Sequence, residues 1–479
     1  MPVHNKRLWN RWVVALLSAI GLAAAGSDLR LVDAAEKHDT EAVRTLLKQH
    51  VDVNAPQADG ATALQWAAHW DDVDMANVLI RAGAHVNTAN DYGVTPLLLA
   101  CTNGSGTMVD ALLKAGARVN VALPTGETPL MAAARSGNAD IVKALASAAD
   151  VNAREHTSGQ TALMWAAAEV HPDVVRVLIE NQADIHLRTA GGFTALLFAA
   201  RGGDVESARL LLAAGADVNE SAPDGSSALL VATASAQEAV ALLLVEKGAD
   251  PNLADSIGYT PLHAVVWKAS AKAGLVRPNG TSTLVKALLA HGANPNVQIT
   301  QDPPPLPGNY VYQAGLTGAT PLWLAAKAAD ASVMRALVAG GADLRLGNKA
   351  GTTPLMVAAG LGRAQGPGGQ PERRLLDAVK AAVELGADLD AVNDAGQTAM
   401  HGAAAQGFDS IIQFLADRGA KVNVKDTLGQ TPLNAADRRN SVTGTTVQLL
   451  RTLSGEPESG RSNDDTSGAR TKPGGQREK

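Results

Sequence analysis

One short phrase returns eleven times along this chain, and its spacing is the strongest constraint on the fold. The phrase is a glycine, one further residue, and then Thr-Pro-Leu or a near variant followed by small residues. The first seven anchor residues lie 33 residues apart, and the two longer gaps are 60 and 45 residues. The anchors are Thr62, Thr95, Thr128, Thr161, Thr194, Ser227, Thr260, Thr320, Thr353, Thr398 and Thr431. Such a period predicts an array of stacked repeats rather than a globular domain.

Each repeat is predicted to form a helix, a turn and a second helix. Threonine is a favoured N-cap and proline a favoured first helical residue, so a first helix is expected at every anchor. The small residues that follow, such as Ala132 to Ala134, let a neighbouring helix approach closely. After Thr194, a second apolar run from Val205 to Leu212 ends at Gly215, which suits a left-handed C-cap. A degenerate repeat around Leu31 brings the total to about twelve.

The Thr-Pro-Leu-His-Ala motif at residues 260–264 and the Gly-Ala-Asp-Val-Asn motif at residues 215–219 resemble the ankyrin repeat family. The resemblance covers residues 27–454. It implies an all-α repeat fold, an ankyrin-type α-solenoid of stacked helix-turn-helix repeats with β-turn or hairpin connections. The fourth motif residue is the family's histidine only at His263 and His401. Because other residue types occupy this position elsewhere, the hydrogen-bond network around that histidine is expected to be weakened and replaced by packing.

The first 25 residues lie outside the repeats and have the pattern of a secretory signal peptide. Three basic residues precede an apolar run from Trp12 to Ala25 that ends in an alanine triplet. The run is shorter than the roughly 20 residues of a membrane span, so cleavage near Ala25 is favoured over a retained anchor. The sequence thus predicts an exported bacterial protein, periplasmic or extracellular, with no membrane span after cleavage. Residues 455–479 are polar, without apolar periodicity, and are expected to be disordered.

Composition and motifs argue against several classes of function. The formal net charge is −6, and it becomes −9 when the three basic residues of the signal peptide are removed, which disfavours a nucleic-acid or anionic-membrane partner. Cys101 is the only cysteine. It stands at a first-helix position that is alanine in several other repeats, which predicts a buried packing role. The eleven histidines lack metal-ligand spacing, and no catalytic motif is present. No cofactor or metal is therefore predicted, and the chain is expected to be a non-enzymatic monomer that binds another protein.

The resemblance also implies a place for the partner. In the ankyrin family, partners bind along a concave groove and contact the turn tips and the exposed ends of the first helices. In this sequence the helix ends lie seven and eight residues after each anchor. The candidate residues at these positions and at the tips are His69, Trp70, Tyr92, Phe193, Tyr259, Trp267 and Lys268. Further helix-end residues are Thr102, Asn103, Arg135, Ser136, Ala168, Glu169, Arg201, Gly202, Lys327 and Ala328.

A packing role competes with the binding role at several aromatic positions. Trp66, Trp165 and Phe198 lie four residues after their anchors, where a bulky side chain is predicted to fill space between stacked helices. Trp70 and Trp267 have two equal interpretations. Each is either an exposed interface anchor or a side chain that folds down over a neighbouring repeat.

Three insertions break the period. The segments 269–280 and 361–373 separate the two helices of their repeats, whereas 298–318 enlarges a turn. The 298–318 loop contains a run of prolines together with Tyr310 and Tyr312, which favours an ordered finger beside the groove over a flexible linker. Tyr310 and Tyr312 are therefore further candidate binding residues, and the glycine-rich 361–373 loop is expected to be mobile.

Three functional hypotheses follow from the sequence. The leading one is a non-enzymatic, exported scaffold that binds another protein through the groove, with the 298–318 loop setting specificity. The second is a ligand-binding protein or enzyme with a pocket between that loop and Tyr259, His263 and Trp267. The third is a secreted effector that acts on host proteins.

Overall fold

The computed structural model describes residues 28–271, 280–302, 315–362, 372–437 and 444–455. These segments contain 24 helices, and β-structure within them is limited to one isolated bridge between Ser221 and Ser227. The predicted signal peptide, the polar tail beyond residue 455 and most of each insertion lie outside the described residues, as do Tyr310 and Tyr312.

The chain divides into two compact units, residues 1–301 and 302–479, which we call the N-terminal unit and the C-terminal unit. Their boundary falls within the predicted 298–318 insertion. Odd-numbered helices are the first helices of the repeats, and even-numbered helices are the second.

The helices of the N-terminal unit are α1 Arg30–Glu36, α2 Thr40–Lys48, α3 Ala63–His69, α4 Val73–Arg81, α5 Pro96–Asn103, α6 Gly106–Lys114, α7 Pro129–Ser136, α8 Ala139–Ala146, α9 Ala162–Ala168, α10 Pro172–Glu180, α11 Ala195–Gly202, α12 Val205–Ala213, α13 Ala228–Ala234, α14 Glu238–Glu246, α15 Pro261–Ala271 and α16 Gly280–Ala290. The helices of the C-terminal unit are α17 Pro321–Lys327, α18 Ala331–Ala339, α19 Pro354–Ala358, α20 Glu372–Glu384, α21 Ala399–Gln406, α22 Asp409–Asp417, α23 Pro432–Asp437 and α24 Gly444–Ser454.

Every anchor residue immediately precedes a first helix, as predicted. Thr95 shows the cause: its backbone is extended, with φ −104° and ψ 159°, and its hydroxyl oxygen accepts a hydrogen bond from Leu98 N at 3.2 Å. Pro96 then takes the first helical position, where its missing N–H leaves no bond unmade. The side-chain cap satisfies one of the amide groups that a helix leaves unpaired at its start.

Most second helices end at a glycine with left-handed backbone, whereas His50 and Gln182 adopt this conformation after α2 and α10. Gly215 has φ 104°, and its amide donates to Leu212 O at 3.1 Å, while Ala216 N donates to Leu211 O at 3.0 Å. Glycine adopts this conformation without the steric cost of a Cβ, so it closes the helix and turns the chain toward the next repeat.

Helices of the same kind pack on one another in two layers. First helices contact first helices of neighbouring repeats, as α3 contacts α5, and second helices contact second helices, as α4 contacts α6. Ala132, Ala133 and Ala134 of α7 are fully buried in the first-helix layer. Cys101 is also fully buried, and burial raises the pKa of its thiol, in keeping with the predicted packing role. Leu79 of α4 and Leu112 of α6 are also fully buried, so shortening either to alanine should cost about 2 to 5 kcal/mol.

Asparagine side chains join the loops that follow the second helices. Asn87 Nδ2 donates to Gly116 O at 3.0 Å, and Asn87 Oδ1 accepts from Arg118 N at 2.7 Å. Asn252 makes the same two bonds, to Gly292 O at 2.9 Å and from Asn294 N at 2.7 Å. Each asparagine thus satisfies two backbone groups of the next repeat, which fixes the offset between repeats.

The fourth motif residue links successive repeats at more anchors than the sequence predicts. Gln65 Oε1 accepts from Thr62 N at 2.7 Å, and Gln65 Nε2 donates to Val94 O at 2.5 Å. His401 makes the same pair of bonds, since Nδ1 accepts from Thr398 N at 3.1 Å and Nε2 donates to Gln430 O at 3.2 Å. Glutamine therefore reproduces the histidine geometry.

Trp323 preserves the second of these bonds. Its Nε1 donates to Thr352 O at 2.9 Å, and this carbonyl lies one residue before the next anchor. The expectation that packing replaces the network wherever histidine is missing is therefore wrong at Gln65 and Trp323, because both side chains carry an N–H that reaches the carbonyl. At Leu98 and Met131 the side chain has no such donor and is buried.

The ends of the insertions are more regular than the sequence predicts. Helix α15 extends to Ala271 and α16 begins at Gly280, so both ends of the 269–280 segment are helical. Asp302 closes the base of the 298–318 insertion, because its carboxylate accepts from Gly315 N at 3.1 Å and from Thr317 N at 2.7 Å.

Candidate functional site

The turn tips of the N-terminal unit form a hydrogen-bonded row. Asp91 N donates to Asp59 O at 2.9 Å, Ala190 N to Ser158 O at 2.7 Å, and Ser256 N to Asp224 O at 2.7 Å. These bonds hold the tip of one repeat beside the tip of the next. We use the name first-helix face for these tips together with the helix-end residues seven and eight positions after each anchor in this unit.

Two prolines interrupt the row of tip hydrogen bonds. Pro124 and Pro223 stand 33 residues after Asp91 and Ala190, and proline has no N–H to donate. Each proline packs instead against a glycine of the preceding tip. A Cβ built on Gly93 would lie 2.8 Å from Pro124 Cδ, and one built on Gly192 would lie 2.2 Å from Pro223 Cδ. The tips therefore stay close at these two junctions through glycine–proline packing.

An aromatic cluster lies at the start of the first-helix face. The Trp70 ring stacks on His38 of the preceding repeat with centroids 5.7 Å apart, and it lies 6.4 Å from Trp66 and 4.8 Å from His69. Trp66 is 5% exposed and its Nε1 donates to Gln57 Oε1 at 2.9 Å, in keeping with its predicted packing role. Within the cluster Trp66 is buried, His69 is half-buried, and His38 and Trp70 remain exposed.

Trp70 folds over the preceding repeat and also remains exposed. Its Nε1 donates to Glu36 O at 3.1 Å, so the indole folds over the preceding repeat. Trp70 nevertheless remains 44% exposed, an unusual state for a large apolar residue among those that the structure describes. A rigidly held, exposed aromatic ring loses little conformational freedom when a partner covers it. His69 beside it is half-buried, and burial lowers the pKa of its imidazole.

Glu127 and Arg135 form a charge pair in the middle of the face. Arg135 Nη2 donates to Glu127 Oε1 at 3.0 Å, and the guanidinium carbon lies 4.7 Å from the ring centre of Trp165 in the next repeat. Glu127 is only 7% exposed. Burial raises the pKa of its carboxyl group, and the Arg135 charge opposes that rise. Trp165 is half-buried and contacts the Arg135 guanidinium, so its predicted role in filling space between stacked helices stays a prediction.

Phe193 and Arg201 meet in the repeat anchored at Thr194. The Arg201 guanidinium carbon lies 4.8 Å from the ring centre of Phe198 and 5.7 Å from that of Phe193. The two phenyl rings are 5.6 Å apart and tilted by 59°. Phe198 is 5% exposed and fills space as predicted, whereas Phe193 is half-buried at the tip.

Tyr259 is tied to its own repeat. Its ring stacks on His263 with centroids 5.5 Å apart, and its hydroxyl donates to His263 O at 3.4 Å. Burial raises the pKa of the Tyr259 hydroxyl, and the nearby Asp255 charge adds to the rise. Tyr92 and Trp267 are both half-buried. The side chain of Lys268 lies outside the described residues.

Sequence reasoning missed the residues that support this face. His38 lies in the turn between α1 and α2 with φ 58°, and no motif indicates that it stacks on Trp70. Glu127 occupies the variable position before its anchor, eight residues ahead of Arg135, and a glutamate there is the one signal that could have indicated the pair.

We examined the described residues for a metal-binding group of side chains and for a membrane-spanning helix. Within them, no group of three or more histidine, cysteine, aspartate or glutamate side chains is arranged to hold a metal ion. None of the described helices is both long and apolar enough to span a bilayer.

A comparison with protein-family models agrees with the repeat pattern of the sequence. A family model for ankyrin repeats in three copies matches residues 31–123, 119–189, 183–255, 270–365 and 372–454. Among solved structures, the chain is similar to the human ASB11 ankyrin repeat domain, with 30% sequence identity and a TM-score of 0.42. That alignment covers 46% of this chain and 98% of the other.

Proposed function

Because the chain belongs to the ankyrin repeat family, we propose that it is a non-enzymatic scaffold that binds another protein outside the cytoplasm. Ankyrin repeats generally mediate protein–protein interaction. The proposed contact surface is the first-helix face of the N-terminal unit, which corresponds to the concave groove of the family.

The observation that carries the proposal is the state of Trp70. Tryptophan is enriched among residues that dominate binding energy at interfaces, and it contributes most where a partner excludes water from it. Trp70 is 44% exposed although its ring is stacked on His38 and its N–H is already bonded. The exposed part of the ring contributes no burial energy to the folded chain. A partner that covers it would bury apolar surface on a ring that is already held in position.

Export is part of the proposal and is supported by the sequence pattern of residues 1–25. A basic start, an apolar run and an alanine triplet are the three parts of a secretory signal peptide. The single, fully buried cysteine is compatible with an oxidising compartment, because it is inaccessible to a second thiol.

Affinity capture from the native envelope and medium tests the binding proposal. A partner recovered with the wild-type chain would be purified, and its dissociation constant measured for wild type and Trp70→Ala. We expect a loss of at least about 2 kcal/mol, since a tryptophan anchor of an interface contributes that much. Phe414→Ala is the matched control, because Phe414 is a half-buried aromatic residue on the second helix α22 of the C-terminal unit and is not part of the first-helix face.

Folding of the variants is checked by circular dichroism, and Trp267→Ala provides an independent second probe of the face. Equal affinity of wild type, Trp70→Ala and Trp267→Ala for the captured partner would refute the first-helix face as the contact surface.

A further inference from the structure

Arg201 lies on an aromatic platform at the end of α11. Its guanidinium carbon is 4.8 Å from the Phe198 ring centre and 5.7 Å from the Phe193 ring centre. Phe198 is fixed by packing, with 5% exposure, and Phe193 contacts it at the turn tip. A cation held over two rings in this way is restricted in orientation before any partner arrives.

The hydrogen-bonding capacity of Arg201 is unused within the described residues. A guanidinium carries five N–H donors, yet no described oxygen accepts a hydrogen bond from this side chain and no described carboxylate forms an ion pair with it. Partial burial lowers the pKa of the Arg201 guanidinium, and no neighbouring acid among the described residues offsets this cost. The residue as a whole is exposed, so its donors are accessible from solvent.

Arg135, two repeats earlier, provides an internal comparison. It occupies the same position seven residues after its anchor and also lies over an aromatic ring, at 4.7 Å from Trp165. Its charge is paired with Glu127 at 3.0 Å. The equivalent residue in the Thr194 repeat, one before the anchor, is Phe193 instead of a glutamate. The chain therefore supplies an acidic partner at one of these two positions and a ring at the other.

We propose that Arg201, Phe193 and Phe198 form a carboxylate-binding subsite of the first-helix face, and that its occupant is an acidic side chain in an extended segment of the protein partner. This inference rests on the proposed function. A planar guanidinium binds a carboxylate through two parallel hydrogen bonds, and such charge-assisted bonds are the stronger ones. The guanidinium carbon lies 4.8 and 5.7 Å from the two ring centres, and the residue as a whole is exposed. The neighbouring helix-end residues Ala168 and Gly202 are small, which leaves room for a partner backbone.

Selection from a random dodecapeptide library displayed on phage tests the subsite even while the partner is unidentified. Displayed peptides are fused at their C-terminus and therefore have no free terminal carboxylate. Any carboxylate that the selection enriches must belong to an aspartate or glutamate side chain. Chosen peptides would be synthesised with amidated C-termini and measured against wild type, Arg201→Gln, Arg201→Lys and Arg209→Gln. Arg209 is the matched control, because it is a half-exposed arginine of the same repeat on the second helix α12.

We expect the wild-type selection to enrich aspartate or glutamate at one peptide position. Arg201→Gln should weaken those peptides at least about tenfold, Arg201→Lys by less, and Arg209→Gln by less than about twofold. Replacing the enriched acid by its amide should remove the difference between wild type and Arg201→Gln. Millimolar inorganic phosphate should not displace the peptides.

The outcomes separate this inference from the proposed function. Peptides that Trp70→Ala or Trp267→Ala weakens, but that lack an enriched acid or bind Arg201→Gln as well as wild type, would overturn the subsite and leave the scaffold function standing. Displacement by phosphate would identify an anion site of a different class and also overturn it. Failure to select any peptide that depends on the first-helix face would contradict both proposals.

Discussion

Arg135→Met removes the cation that accompanies the buried carboxylate of Glu127. Methionine preserves much of the aliphatic stem, so the change is mainly one of charge. Glu127 is 7% exposed, and its charged form is disfavoured by burial even with Arg135 present. Without that cation, the carboxylate must be ionised in a poorly solvated place or take up a proton.

The expected loss of stability in Arg135→Met follows from the burial of the Glu127–Arg135 pair and from the distances of Arg135 to its neighbours. Breaking a fully buried ion pair by removing one partner costs about 3 to 5 kcal/mol. The Arg135 side chain is 23% exposed, which allows some solvent screening and reduces this contribution to about 2 kcal/mol. The guanidinium also lies 4.7 Å from the Trp165 ring centre, and loss of that contact adds about 0.5 to 1 kcal/mol. We expect a total destabilisation of about 3 kcal/mol near neutral pH.

The carboxylate contribution depends on pH in a definite direction. The folded-state pKa of Glu127 is raised above its ordinary value of 4.5, and Arg135→Met should raise it further. For an acid with a raised folded-state pKa, folding favours the protonated form. The destabilisation is therefore absent below the unfolded-state pKa, grows as the pH rises toward the folded-state pKa, and is fully present above it. Arg135→Met should be closest to wild type in acid and least stable above neutral pH.

Urea unfolding measured at several pH values between about 5 and 8 tests this reasoning. Hydrogen exchange of amides in α7 and α9 adds a local measure, because repeat arrays open segment by segment. Combining Arg135→Met with Glu127→Gln should restore most of the lost stability and remove its pH dependence. Arg209→Met is the control and should change stability little, since the Arg209–Glu206 pair is exposed with a separation of 3.7 Å. A pH-independent loss in Arg135→Met, or no recovery in the double variant, would refute the assignment.

Three further predictions concern export, repeat linkage and the inserted loop. N-terminal sequencing of native protein should find a terminus near Ala25, and an intact N-terminus on cytoplasmic protein would contradict export. Asn87→Ala should lower the free energy of unfolding by about 1 to 2 kcal/mol, because two inter-repeat hydrogen bonds are lost. Asn87→Asp keeps the acceptor oxygen and should lower the free energy of unfolding by less. Equal stability of wild type and both variants in urea unfolding would contradict a linking role. Replacing residues 303–314 by a short turn should preserve the circular dichroism spectrum but weaken binding of the captured partner, whereas unchanged binding would remove the loop from the interface.

The regular parts of the fold could be predicted because each depends on a local rule. Threonine before proline specifies a capped helix start, and glycine after the second helix specifies its left-handed end, so both follow from residue type alone. The fixed period then places equivalent residues side by side. The bonds of Gln65 and Trp323 could not be predicted by analogy with histidine, because they depend on whether a different side chain brings an N–H to the same carbonyl.

The candidate site was less predictable because it depends on contacts between repeats. The helix-end rule placed Arg135 and Arg201 on the same surface but treated them as equivalent. Their difference comes from the residue before each anchor, which is Glu127 in one repeat and Phe193 in the other. Similarly, the Trp70 ring stacks on His38, a turn residue that belongs to no motif. Positions that the repeat motif leaves variable therefore carry the information about charge pairing.

Pro124 and Pro223 divide the tips of the first-helix face into hydrogen-bonded groups, and Arg135 and Arg201 lie in the same group. The row of tip hydrogen bonds joins Thr125 to His156 and Ser158 to Ala190, but Pro124 and Pro223 cannot donate to the tips before them. The three repeats anchored at Thr128, Thr161 and Thr194 consequently form one hydrogen-bonded group of tips, and Arg135 and Arg201 lie in its first and last repeats. A partner segment that spans this group meets a neutralised arginine at one end and, among the described residues, an unpaired one at the other. Because backbone hydrogen bonds fix the tips between them, the distance between the two arginines is set by the fold, and an acidic side chain that reaches Arg201 would also fix the register of the segment along the face.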